Sequence, residues 1–229
     1  MFARRSLIVL AVALSVVRCA DHPTAVPSRP AARQTLRWAP SLAPQFAATA
    51  IRSSQDGLAS FLTPPLSLDQ YTVSFWAVRG ESRSVVINYR DANNDTSNPF
   101  LTLKITDPAL LPDGSELAAG DSVLITVTVD TVRIGVSLEP SGLQFGAPAE
   151  LTINYGGAGG DLNGDGMADS TDAFIEQRLL GLWYRESSEE WTQVPAIHSI
   201  ENKLFTSFLP HFCEYELSFT EFAEWSTSW

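Results

Sequence analysis

The chain has 229 residues, of which 45% are hydrophobic, and a formal net charge of −11 at pH 7. From Leu58 onward it has eight Lys and Arg against 24 Asp and Glu, a net charge of −16. This excess of acid disfavours binding to nucleic acid and to anionic lipid headgroups, because both repel a surface of the same sign.

Residues 1–19 have the pattern of an export signal. Arg4 and Arg5 precede an apolar run over residues 6–17, which is too short to be a permanent membrane helix. Cys19 follows this run, an arrangement that resembles a bacterial lipoprotein signal and implies that Cys19 carries the lipid. Ordinary signal-peptidase cleavage and twin-arginine export remain alternatives. We expect an outer-membrane or cell-surface lipoprotein, or otherwise a periplasmic or secreted protein, with membrane contact only through the lipid anchor.

Residues 20–66 are rich in Pro, Ala and Arg and show no periodic apolar face. Repeated prolines prevent a continuous helix and favour an extended chain. We predict that this segment is a tether between the anchor and a folded domain.

Residues 67–222 show apolar residues at every second position, which is typical of strands with one buried face. Many short strands at this spacing, separated by turn sequences, predict an all-β, antiparallel sandwich that is immunoglobulin-like in the broad sense. A barrel is the alternative. The predicted strands are YTVSFWAV (71–78), RSVVINYR (83–90), FLTLKIT (100–106), SVLITVTV (122–129), VRIGVSL (132–138), AELTINY (149–155), LGLWYRE (180–186), EWTQV (190–194), KLFTSFL (203–209) and CEYELSF (213–219).

The second half of this region carries a family pattern over residues 132–219. A Pro-Gly turn is followed by a strand that ends at Tyr155, then by a Trp-bearing hairpin and by a last strand that opens with His211-Phe212-Cys213-Glu214-Tyr215. This order resembles the β-sandwich module shared by zonula occludens proteins, netrin receptors and ankyrins, although Cys213 replaces the usual Ser or Thr. The resemblance implies a structural or interaction module that has no active site.

One acidic loop, GDLNGDGMADSTD, interrupts the strands within an inserted loop-helix over residues 160–181. Its oxygen-bearing residues follow the order of an EF-hand calcium loop, with glycine at position 6 for the sharp turn. Magnesium requires a tighter octahedron, and zinc prefers His or Cys. We therefore predict a calcium site with four converging carboxylates. The predicted ligands are Asp161, Asn163, Asp165, Met167 through its backbone carbonyl, Asp169 and Asp172.

The residues after the loop, STDAFIEQRLLG, predict a short helix capped by Ser170 or Thr171 and ended by Gly181. The loop and helix together resemble half of a dockerin, in which Asp also closes the loop. Ala168 replaces the usual branched apolar residue, and the sequence has no second copy of the unit, so we expect calcium binding without cohesin binding. A similar start at Asp91, Asn93 and Asp95 predicts only a hairpin turn.

No catalytic motif is present in the sequence, and the tail over residues 223–229 is aromatic. We predict that this tail covers an edge of the sandwich, with a glycan platform as the alternative. The leading hypothesis is a non-enzymatic, calcium-binding structural or interaction module whose partner is a protein or glycan of the cell envelope. The alternative is an extracellular hydrolase or glycan-binding protein whose site the sequence does not reveal.

Overall fold

A computed structural model of the chain contains two antiparallel sheets that share one apolar core, which confirms the predicted all-β sandwich. The structure describes residues 32–39, 67–90, 98–186 and 190–220. All of them belong to one compact unit that spans Ala31–Phe222. The signal segment, Cys19, most of the predicted tether, the 91–97 turn and the aromatic tail lie outside the described residues.

Fourteen strands, two short helical turns and one short helix make up the described structure. A 3₁₀ turn covers Gly156–Ala158, helix α1 covers Ser170–Phe174, and a π-helical turn covers Ile175–Leu179. The strands are β1 (Arg33–Thr35), β2 (Ser67–Leu68), β3 (Thr72–Val78), β4 (Arg83–Arg90), β5 (Asn98–Ile105), β6 (Asp107–Leu110), β7 (Ser122–Val129), β8 (Gly135–Glu139), β9 (Gln144–Asn154), β10 (Gly181–Arg185), β11 (Thr192–Val194), β12 (Ile197–Ser199), β13 (Leu204–His211) and β14 (Glu214–Thr220).

Each sheet contains seven strands. The first has the order β11-β10-β14-β8-β7-β3, with β1 also paired to β14. The second has the order β12-β13-β9-β5-β4-β2, with β6 also paired to β9. Since β9 and β10 belong to different sheets, the acidic loop lies in the connection that crosses from one sheet to the other.

The alternation of apolar residues accounts for the ten predicted strands, all of which are present. In β7, for example, Val123, Ile125, Val127 and Val129 are buried while Ser122 and Thr128 are exposed. The apolar alternation does not predict β1, β2, β6 or β12. These strands have two to four residues each, which is too short for an alternating pattern to be recognised.

The tether prediction is wrong for residues 32–39, because this segment is part of the sandwich. Strand β1 pairs with residues 218–220 of β14, and β8 pairs with residues 214–216 of the same strand. The Leu36 amide donates to the Leu217 carbonyl at 2.8 Å. Leu36 and Trp38 enter the core, where they are 1% and 5% exposed. Burial of these two side chains offsets the entropy lost when the segment is ordered.

The described residues contain no helix that is both long and apolar enough to cross a membrane.

Candidate metal centre

The acidic loop is fixed to the sandwich at both ends. Leu162, near its start, and Ile175, just after α1, are both buried in the apolar core. Between these two anchors the side chains from Asp165 to Thr171 are exposed. The loop therefore has a defined entry and exit and an accessible centre, as a site for a small ligand requires.

Asp161, the first predicted ligand, organises the turn that follows it. Its Oδ1 accepts hydrogen bonds from the amides of Gly164 at 2.8 Å and Asp165 at 3.1 Å, and its Oδ2 accepts one from Gly166 at 2.8 Å. Gly164 and Gly166 have φ values of 78° and 91°, in the left-handed region that glycine adopts without strain. The two glycines thus let the chain wrap around the Asp161 carboxylate.

Asn163 and Asp165 lie side by side within this turn. The Asn163 Nδ2 donates to Asp165 Oδ2 at 3.1 Å, and Asn163 Oδ1 accepts from the Asp165 amide at 2.9 Å. Asp165 Oδ1 in turn accepts from the Met167 amide at 2.9 Å. The predicted ligands at positions 3 and 5 are therefore adjacent in space.

Asp172, the last predicted ligand, closes the loop from inside the domain and is only 3% exposed. Its Oδ1 accepts from the amides of Leu162 at 2.7 Å and Asn163 at 3.1 Å, and its Oδ2 accepts from the Asp169 amide at 2.9 Å. Burial by itself raises the pKa of Asp172, but these backbone donors outweigh it and the pKa is lowered. The carboxylate is thus held ionised against the loop backbone.

Asp169 caps α1, whereas the sequence predicts Ser170 or Thr171 as the cap. Its Oδ1 accepts from the Thr171 amide at 2.7 Å, and Asp172 reaches back to the Asp169 amide to complete a capping box. The helix is also shorter than predicted, because the π-helical turn replaces its second half. Two predicted ligands therefore also act as helix caps.

The loop brings the predicted ligands together in one turn, but their carboxylates do not converge. Within the ranges that the structure describes, no group of three or more His, Cys, Asp or Glu side chains is placed so that it could hold a metal ion. The carboxylates instead turn toward backbone amides, as described above. A carboxylate has about four lone-pair sites in all, so oxygens that accept amide bonds keep the capacity to bind a cation. Calcium binding at this loop remains a prediction.

A polar cluster that no sequence motif predicts connects the turn after α1 to the second sheet. The Tyr155 hydroxyl donates to Glu176 Oε1 at 2.8 Å and lies 2.7 Å from His198 Nε2, while Lys203 pairs with Glu176. Burial raises the pKa of Tyr155 and lowers that of His198. These four residues are far apart in the sequence and form no motif, so only the fold shows that they meet.

No protein-family model matches the sequence, and no curated protein is significantly similar to it.

Proposed function

We propose that the protein is an exported, lipid-anchored β-sandwich that binds one calcium ion in the loop from Asp161 to Asp172. It acts as a non-enzymatic structural or interaction module of the cell envelope. The observation that carries this proposal is the hydrogen-bond network in which the carboxylates of Asp161 and Asp172 accept bonds from the backbone amides of the loop. Both positions are those at which an EF-hand loop begins and ends its ligand set.

The network supports a cation site because it folds the loop backbone so that the oxygen-bearing residues share one loop before any ion binds. A loop held by its own amides loses less conformational entropy on binding than a free loop. The oxygens come from carboxylates, one amide and one carbonyl, which is the hard donor set that calcium prefers. Four carboxylates in one short loop also repel each other, and a divalent cation relieves that repulsion.

Binding at this loop should stabilise the whole sandwich rather than the loop alone. Leu162 and Ile175 are part of the core, and Glu176 is held by Tyr155 and Lys203. Unfolding of the sandwich therefore removes both anchors of the loop and destroys the site. An ion that binds only the folded state adds its binding free energy to the stability of the domain.

Calcium should raise the melting temperature of the full chain. For a dissociation constant of about 10 μM and roughly 1 mM calcium, the gain is about 2.7 kcal/mol, or roughly 5–10 °C for a domain of this size. Thermal melting followed by circular dichroism, with calcium and then with chelator, measures the shift. Magnesium should have a much smaller effect.

Two variants connect this shift to the loop. Asp161→Ala removes a predicted ligand and the carboxylate that accepts hydrogen bonds from three backbone amides, so it should abolish the calcium-dependent shift. Asp113→Ala is the matched control, because Asp113 is an exposed carboxylate in a surface turn and bonds only to Ser115 among the described residues. Equal melting curves with and without chelator in the wild-type chain would contradict the proposal.

The lipid anchor is tested independently of calcium. If Cys19 carries the lipid, the wild-type protein should incorporate labelled fatty acid and partition into detergent. Cys19→Ser should lose the label and accumulate as precursor or as soluble protein. Labelling of the Cys19→Ser variant at the wild-type level, or an unlabelled wild type, would remove the anchor from the proposal.

A further inference from the structure

The outer face of the first sheet carries a groove of about 170 Å³ over β7, β8 and β14. We call it the Trp191 groove, and the residues that line it include Asp130, Arg133, Ser137, Trp191, Glu214 and Glu216. Gly135 lies in its floor, where an added Cβ would come within 2.7 Å of the Tyr215 carbonyl oxygen. The missing side chain leaves room in the floor while the two strands approach closely.

Glu216 is the fixed acceptor of the groove and is only 2% exposed. Arg33 pairs with its Oε1, and Arg133 Nη1 donates to its Oε2 at 3.1 Å. Thr35 Oγ1 and Ser218 Oγ also donate to Oε1, at 2.9 and 2.8 Å. A buried carboxylate with this many partners keeps one orientation, so it also fixes the two guanidinium groups beside it.

Asp130 adds a second carboxylate at the rim. Its Oδ2 accepts from Arg133 Nε at 2.7 Å, and its Oδ1 accepts from the amides of Val132 and Arg133. Burial raises the pKa of Asp130, but the bonds from Arg133 and Val132 outweigh it and lower the pKa. Arg133 is thus held between Asp130 and Glu216, with its direction set from both sides.

Trp191 is held in place without being buried. The guanidinium carbons of Arg33 and Arg185 lie 4.4 and 4.9 Å from the centre of the indole. Arg185 is itself paired with Glu214 at 2.5 Å. The indole is half-buried, and the part of it that the two guanidinium groups leave uncovered lines the groove, where it can contact a ligand.

The paired charges and the indole of the groove together indicate what kind of ligand it binds. The groove and its supports contain three carboxylates and three guanidinium groups, interleaved, so neither an anion nor a cation is favoured. A sugar hydroxyl both donates and accepts, and it can use a carboxylate and a guanidinium together. The apolar ring suits the C–H face of a pyranose, and the volume is below the roughly 300 Å³ of the smallest drug-sized sites.

We propose that the Trp191 groove binds a single uncharged pyranose residue of a glycan. Each described carboxylate of the groove is engaged by a guanidinium, an arrangement that suits recognition of hydroxyl groups rather than acid catalysis. The site shares no residue with the acidic loop. Sugar binding therefore does not depend on the calcium proposal, and Asp161→Ala should leave it unchanged.

The test titrates the purified full chain with neutral cello-, chito-, malto- and xylo-oligosaccharides by isothermal titration calorimetry and tryptophan fluorescence. We expect saturable binding to at least one of them. Trp191→Ala should weaken it by about tenfold or more, which is the effect of losing a stacking ring worth roughly 1.4 kcal/mol. Ser137→Trp, which fills the groove from an outward-facing position on β8, should abolish binding.

The matched control is Trp76→Ala, which removes an exposed tryptophan from β3 on the same sheet but outside the groove. It should bind as the wild type does. No binding to any of these sugars at about 10 mM, or wild-type affinity in the Ser137→Trp variant, would overturn the proposal. Because Ser137 is a partly exposed residue of β8, between the buried Val136 and Leu138, that variant keeps the test decisive even if Trp191→Ala fails to fold.

Discussion

Replacing Trp38 by alanine should lower the free energy of unfolding by about 4 kcal/mol, as is typical for a large aromatic side chain removed from a core. The indole lies 5.0 Å from Phe100 and 6.2 Å from Tyr89, measured between ring centres. Its Nε1 donates to the Asp130 carbonyl at 2.9 Å. Its ring also covers Gly157, where a Cβ would come within 2.4 Å of it. Urea unfolding followed by fluorescence or circular dichroism measures the loss.

Trp76→Ala is the matched control for the Trp38 prediction, because Trp76 is 59% exposed. Its loss should change the free energy of unfolding by about 0.5 kcal/mol or less. If Trp38→Ala lowered the free energy of unfolding as little as Trp76→Ala does, residues 32–39 would not be part of the cooperative fold. The original tether prediction would then hold for that segment.

Asp172→Ala should destabilise the chain by about 3 kcal/mol in the absence of calcium, because three backbone amides lose a charged acceptor. One of them, the Leu162 amide, is buried. The variant should also lose the calcium-dependent rise in melting temperature. Asp172→Asn should be intermediate in the calcium-free state, since its remaining oxygen can still accept from Leu162. Asp113→Ala should leave the melting temperature almost unchanged.

The contribution of Asp172 to the free energy of unfolding should decrease as the pH is lowered. The pKa of Asp172 is lowered in the folded state, so its stabilisation is fully present above the unfolded-state value of about 3.9. It is lost as the pH falls through the folded-state pKa. The stability difference between the wild type and Asp172→Ala should therefore shrink below about pH 4. A difference that stays constant down to pH 2 would mean that the carboxylate does not act through its charge.

The strands could be predicted because their signal is local. Alternation places Ile125 and Val127 on the core face of β7 whatever their partners are. Strand β1 could not be predicted, because its three residues pair with β14, about 185 residues later in the chain. The polar clusters were missed for the same reason, since Glu216 meets Arg33 and Arg133 only after the strands are arranged.

For the acidic loop, the sequence predicts which residues share the loop but not how their carboxylates are oriented. Its ligand order is local and could be read from the sequence, and the structure does gather these residues into one turn. The orientation of each carboxylate depends on which backbone amides it faces, and spacing alone does not reveal this. Asp169 illustrates the point, because it was predicted only as a ligand and also caps α1 through the Thr171 amide.

Calcium titration of the full chain by isothermal calorimetry tests the central claim most directly. We expect one ion per chain, with affinity in the micromolar range, little competition from magnesium, and loss of binding in Asp161→Ala but not in Asp113→Ala. Absence of calcium uptake at millimolar concentration would contradict it, and the loop would then be an acidic turn held only by its own amides.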